Sequence, residues 1–342
     1  MFLLQRTISL LIIFSLYTTV SAQSPRNLVF EGAGIRGIAY CGVLQKMEEK
    51  NWLQHVQRVG GTSAGAVTAL TVALGYTSEE IRQLISSTAF KKLNDGKFMF
   101  VGGIARMKKY FGWYRNKKTD EWLSNMIRAK TGNADITFRQ MKETGRFKEL
   151  YVTGTCLNKQ ELIIFSYETY PDMKIRDAVR ISMSIPLYFE ASFIDPSGNV
   201  FYHPKDKKGL DILVDGGITG NFPIRMFDST RYVANSSTAN QFIINKETVG
   251  CRIDSDEQIE KDVNGDPRLA ALPVNSLKEY LNAFYIIIIE NLNRQLLTKD
   301  DWARTISVSS GNIRPGIRKM KKEEIELLIN NGISGFDHFH KK

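Results

Sequence analysis

The chain has 342 residues, is 43% hydrophobic and 24% charged, and carries 46 Lys+Arg against 36 Asp+Glu for a net charge of +10. This is the composition of a folded globular chain, and it excludes disordered, collagen-like and polytopic membrane classes. Three scattered cysteines (Cys41, Cys156, Cys251) with no C-x-x-C exclude a disulfide framework or thiolate zinc site, and four histidines with no H-E-x-x-H argue against a histidine-rich metal centre. No metal and no cofactor is expected, so a hydrolytic centre here has to work with little histidine.

Residues 1–22 read as a signal peptide. Arg6 supplies the positive start, Ile8 to Leu16 the apolar stretch, and Val20-Ser21-Ala22 the small residues before a cut after Ala22. Export is therefore expected, to the periplasm, the outer membrane or the medium. Residues 23–342 are expected to form a single domain. They hold no internal repeat, low-complexity tract or Pro/Ser-rich linker.

Leu28-Val29-Phe30 reads as a short buried strand that breaks into Gly32-Ala33-Gly34-Ile35-Arg36-Gly37. The apolar spacing from Ile38 to Lys50 predicts a helix with one buried face. Val56 to Val59 predicts a second strand, entering Gly61-Thr62-Ser63-Ala64-Gly65, and Ala66 to Leu74 a buried helix. Two strand–glycine turn–helix units in succession predict a parallel sheet with helices on both faces. Residues 77–150 are helix-biased and basic. Strands are expected at Leu150–Gly154 and Leu162–Tyr167, a helix at Asp177–Ser184, and a strand at Ile212–Val214 before Asp215-Gly216-Gly217. Late strands are expected at Phe242–Ile244 and Arg304–Val308, with a buried helix at Ser276–Leu297.

Three of these segments can carry chemistry. Gly61-Thr62-Ser63-Ala64-Gly65 fits G-x-S-x-G, in which a sharp strand-to-helix turn exposes the serine Oγ and the flanking glycines avoid a clash. The turn Gly32 to Gly37 fits G-x-G-x-x-G, but the acidic residue a dinucleotide site needs at the end of the next strand is missing. Its N–H groups could equally stabilise an oxyanion. Asp215, followed by Gly216 and Gly217, could accept the serine proton, although an ordinary aspartate pKa of about 4 makes a weak base unless burial raises it. None of His55, His203, His338 and His340 has a motif supporting it as the base.

Taken in order, and with Ala178 to Phe189 between them, these segments resemble the patatin-like phospholipase family over residues 27–225; the resemblance fades through 226–342, and the segment after Asn240 carries no assignable family motif. The resemblance implies a three-layer α/β/α sandwich with a mainly parallel central sheet. It implies lipid acyl hydrolysis by a serine–aspartate dyad, of phospholipase A or lysophospholipase type. Ser63 corresponds to the nucleophile, Asp215 to the proton acceptor, and the turn of Gly32, Ala33, Gly34, Ile35, Arg36 and Gly37 to the oxyanion hole. Gly34, Ile35 and Arg36 are the expected donors, with Gly61, Gly65, Gly216 and Gly217 shaping the turns. The sequence departs from the family at Ala33, where a third glycine is frequent, and at Glu31. The implied partner is a phospholipid or other acyl-ester lipid. Peripheral membrane contact is expected through Phe98 to Lys118, where aromatic and basic residues mix. Nucleic acid is not expected, because the charge surplus is modest and no binding module appears. The competing readings are a catalytically silent surface protein of the same fold, binding a lipid or a partner, and a dinucleotide enzyme using Gly32 to Gly37.

Overall fold

The computed structural model describes residues 24–88, 94–96, 101–233, 240–294, 297–316 and 318–341. The expected signal peptide at 1–22 and the Phe98–Phe100 part of the expected membrane segment lie outside the described residues.

The first half of the chain supplies the strands β1 (Asn27–Phe30), β2 (Arg58–Gly61), β3 (Gly112–Tyr114), β4 (Glu149–Cys156) and β5 (Glu161–Phe165). Its helices are α1 (Tyr40–Glu49), α2 (Ala64–Ala73), α3 (Ser78–Ser87), α4 (Val101–Tyr110), α5 (Lys117–Thr131) and α6 (Phe138–Glu143). The second half adds α7 (Ile175–Ser182), β6 (Leu187–Phe189), β7 (Ser192–Ile194), β8 (Val200–Phe201), β9 (Asp211–Asp215) and α8 (Gly217–Gly220). Then come β10 (Thr248–Asp254), α9 (Asp256–Val263), α10 (Leu277–Arg294), α11 (Lys299–Ala303), β11 (Thr305–Ser309) and α12 (Lys322–His340).

Nine strands form one sheet in the order β11-β10-β1-β2-β4-β9-β7-β8, with β5 also on β4, and β3 and β6 pair apart from it. The sheet is mixed. β11 to β4 run parallel, as the strand–turn–helix units require, whereas β5, β9, β7 and β8 pair antiparallel. Three layers follow from strand alternation. Leu28 and Phe30 belong to the main core with Leu44, Met47, Leu70 and Phe336, which α1, α2 and α12 supply. Val29 and Tyr151 point the other way, onto Phe227 and the short 3₁₀ turns beside it.

The parallel edge comes from the segment after residue 225 that carried no motif. β10 pairs with β1 in the register Leu28↔Val249 and is itself paired by β11. Residues 242–244 correct the expected strand. Phe242 makes only an isolated bridge to Ser229 and is 70% exposed, because the strand beside β1 is β10 instead. His338 and His340 lie in α12, where the His340 ring stacks on Phe336.

Candidate active site

Ser63 sits between β2 and α2 with φ +52° and ψ −119°, a backbone conformation that costs energy for any side chain with a Cβ. It is held there from both sides. The Ser63 N–H donates to Ser182 Oγ at 2.8 Å, and Thr62 Oγ1 donates to the Gly220 carbonyl at 2.8 Å. The flanking glycines allow the turn to close. A Cβ on Gly61 would lie 2.3 Å from the Gly65 carbonyl oxygen, and one on Gly65 would lie 2.3 Å from that of Phe30. Ser182 belongs to α7, within the stretch 178–189 that helped suggest the family.

Asp215 ends β9, opposite Gly154 of β4, and its N–H donates to the Ser184 carbonyl at 2.9 Å. Its carboxylate is divided in role. Oδ1 accepts the Gly217 N–H at 2.8 Å, while Oδ2 is buried and finds no hydrogen-bond partner among the described residues. Burial pushes the Asp215 pKa up to about 7; the Gly217 N–H and the Ser63 hydroxyl oppose the rise without cancelling it. Ser63 lines the same cavity as this carboxylate, whose Oδ2 has no partner among the described residues. Loose geometry of this kind is ordinary for a catalytic pair before substrate arrives. A carboxylate poised near neutrality removes the objection that aspartate is too weak a base.

The two side chains line one cavity of about 200 Å³, together with Gly32, Gly34, Asn221 and Tyr285. A second, smaller cavity of about 80 Å³ starts at Ser63 and runs between Val67, Ile85 and Trp122. Its walls are almost wholly apolar. No histidine lines either cavity. His203 is instead paired with Glu190 at 2.8 Å and packed on Tyr110.

The glycine turn leads into a 3₁₀ helix, Gly34–Ala39, and wraps the same cavity. Its N–H groups are not equivalent. Gly32 donates to the Asn221 carbonyl, Ile35 to that of Gly316 at 3.3 Å, and Arg36 to that of Ala33 at 3.2 Å. Ile35 and Arg36, two of the three expected donors, are therefore already engaged. Among the described residues no acceptor is found for the N–H groups of Ala33, Gly34 and Ala64. Gly34 and Ala64 each begin a helix, where such N–H groups have no intrahelical partner. Gly32 leaves room for this convergence, since a Cβ there would meet Asn221 Oδ1 at 2.3 Å and Ser63 Cβ at 3.3 Å.

Residues 28–228 match the family model for patatin-like phospholipases. The chain belongs to that family. It is 32% identical over 215 residues to the uncharacterised protein YqhO of Bacillus subtilis (strain 168), a match that takes in 59% of this chain and 67% of the relative. It is 27% identical over 206 residues to the probable lipid hydrolase 463L of Invertebrate iridescent virus 6, covering 58% of this chain and 62% of the relative. The fold is similar to that of VipD from Legionella pneumophila, with a TM-score of 0.54 at 16% identity over 93% of this chain and 67% of that one. Membership of this family supports lipid acyl hydrolase chemistry in general terms.

Several residues at the site carry no sequence signal. Asn221, six positions past Asp215, donates Nδ2 to the Gly32 carbonyl at 3.1 Å and to Glu31 Oε1 at 3.3 Å. Arg252 is fully buried between Asp254, Glu290 and Glu31, at 2.6, 2.6 and 3.4 Å. Burial there holds the Glu31 carboxyl far above the usual carboxylate range despite the arginine. Helix α10 lies over the cavity with Tyr285, Ile286, Ile289 and Glu290 lining it. This corrects the expectation of a buried helix at 276–297, because the outward side of α10 is exposed: Phe284 is 57% accessible.

Proposed function

We propose that the chain hydrolyses carboxylic esters of lipids, as a phospholipase A or lysophospholipase, through a Ser63–Asp215 dyad and an acyl-enzyme. The observation that carries this reading is the free, buried Oδ2 of Asp215 in the cavity of the strained Ser63, with its pKa lifted to about 7. Asp215 Oδ2 takes the Ser63 hydroxyl proton as Oγ attacks the ester carbonyl carbon. The oxyanion is held by the N–H groups of Gly34 and Ala64, with Ala33 a third donor. Such donors are worth about 2.7–4 kcal/mol each in other hydrolases. The tetrahedral intermediate collapses, the bond to the alcohol breaks, and Asp215 returns the proton to the departing oxygen. Water then attacks the acyl-enzyme, giving a proton to Asp215; the bond between the acyl carbon and Ser63 Oγ breaks, Asp215 returns that proton to Oγ, and the fatty acid is released.

The apolar cavity beyond Ser63 suits the acyl chain. The wetter one, with Arg36 and Tyr188, suits the alcohol portion. Export by residues 1–22 remains part of the proposal. So does membrane contact through 98–118, where Ile104 and Phe111 are the exposed large apolar side chains among the described residues. A fluorophosphonate probe should label the protein, and Ser63→Ala should remove both label and ester turnover. Asp215→Asn should remove turnover. Absence of labelling in the unaltered protein would favour the catalytically silent alternative.

A further inference from the structure

The outer face of α10 has a composition that its inner face does not explain. Leu277, Tyr280, Phe284 and Ile287 are 74%, 58%, 57% and 50% exposed. Their spacing of three, four and three residues puts them on one stripe of the helix. Exposed apolar stripes of this size mark interaction surfaces in water-soluble folds. Just before the helix, Leu272 and Val274 add two more exposed apolar side chains.

A basic loop flanks the stripe. Arg314 Nη1 donates to Glu279 Oε1 at 2.9 Å and so ties this loop to the first turn of α10. Beyond it Lys319, Lys321 and Lys322 are exposed. Between these cations and Arg314, Gly316 lines the Ser63 cavity. Arg314 and Pro315 border one groove with Ile286 and Ile287, and Pro315 and Gly316 line the Ser63 cavity with Ile286 and Ile289, so this loop adjoins α10 where the helix walls the cavity.

We propose that the outer face of α10, with Arg314, Lys319, Lys321 and Lys322, docks on a lipid bilayer containing anionic phospholipid. Apolar side chains entering the boundary of headgroup and acyl chain, beside lysines facing anionic headgroups, form the standard pattern of a peripheral surface helix. Docking in this orientation sets the wall of the Ser63 cavity against the source of its substrate. The inference rests on the lipid hydrolase reading for its purpose but not for its test.

The test uses the full chain and vesicles of phosphatidylcholine with phosphatidylglycerol. In a Ser63→Ala background the protein should co-sediment, and Tyr280→Asp with Phe284→Asp should weaken binding by about tenfold or more. With Ser63 intact, the same double variant should lose vesicle phospholipid hydrolysis to a similar degree while monomeric p-nitrophenyl butyrate turnover stays within about twofold. Unchanged vesicle binding by the double variant overturns the proposal. So does binding that is lost in Ile104→Asp but kept in the double variant, or a dimer in gel filtration that the double variant dissociates, since the stripe would then serve a second copy. If the unaltered protein binds vesicles through the stripe yet cleaves no ester, docking stands and the hydrolase reading fails.

Discussion

Asn221 donates its side-chain N–H to the carbonyl of Gly32 at 3.1 Å, while the Gly32 N–H donates back to the Asn221 carbonyl. This reciprocal pair clamps the segment after Asp215 to the glycine turn, next to the proposed oxyanion donors. Asn221→Leu keeps the volume but leaves the Gly32 carbonyl unpaired, a loss of about 1–3 kcal/mol. Because the geometry lost lies at the oxyanion turn, kcat should fall by about tenfold or more, with KM little changed. Steady-state kinetics on a soluble ester check this, and an unaltered kcat would remove Asn221 from the machinery.

The pKa of Asp215 makes activity depend on pH in a defined direction. The proposed base Asp215 works when ionised, so kcat/KM should climb as pH rises through about 7 and level off above it. A profile already flat from pH 5 upward would mean that burial does not lift this carboxyl.

The same shift makes a stability prediction. Asp215 binds its proton more tightly folded than unfolded, so its stabilising contribution is complete below the ordinary value of 3.8 and is lost as pH rises through about 7. Asp215→Asn cannot ionise. Its melting temperature should therefore exceed that of the parent at pH 8.5 and approach it at pH 4, even though the variant is inactive.

Among the described residues, Arg252 pairs with Glu31, Asp254 and Glu290 in one buried group. Arg252→Met leaves these carboxylates without their counter-charge, and breaking such a pair from one side costs about 3–5 kcal/mol. Glu31→Gln should behave oppositely. The Glu31 carboxyl titrates well above its usual range, so the neutral amide should be tolerated near pH 6 and should stabilise the protein at alkaline pH. Chemical denaturation at both pH values separates the two cases.

Gly65→Ala tests the elbow's packing alone. The added methyl would lie 2.3 Å from the Phe30 carbonyl, so α2 has to move away from β1. Overpacking of this kind costs about 1–3 kcal/mol and should lower both melting temperature and activity.

The turns that carry Ser63, Asp215 and Gly32 to Gly37 were legible in the sequence because each is a local requirement. A serine forced to φ +52° needs small flanking residues within two positions, and an aspartate ending a strand needs glycine where the chain turns. Short-range sterics write themselves into adjacent letters. The two strand–turn–helix units were legible for the same reason. What only the tertiary structure decided is everything built from distant segments. The parallel edge β10 and β11 joins β1 across more than 200 residues, and Asn221 meets Gly32 across 189. The lifted pKa of Asp215 comes from burial, a property of the whole packing and not of its neighbours in sequence. The two faces of α10 looked like one apolar run, because periodicity marks the residues that are apolar and cannot tell which side the rest of the fold will cover.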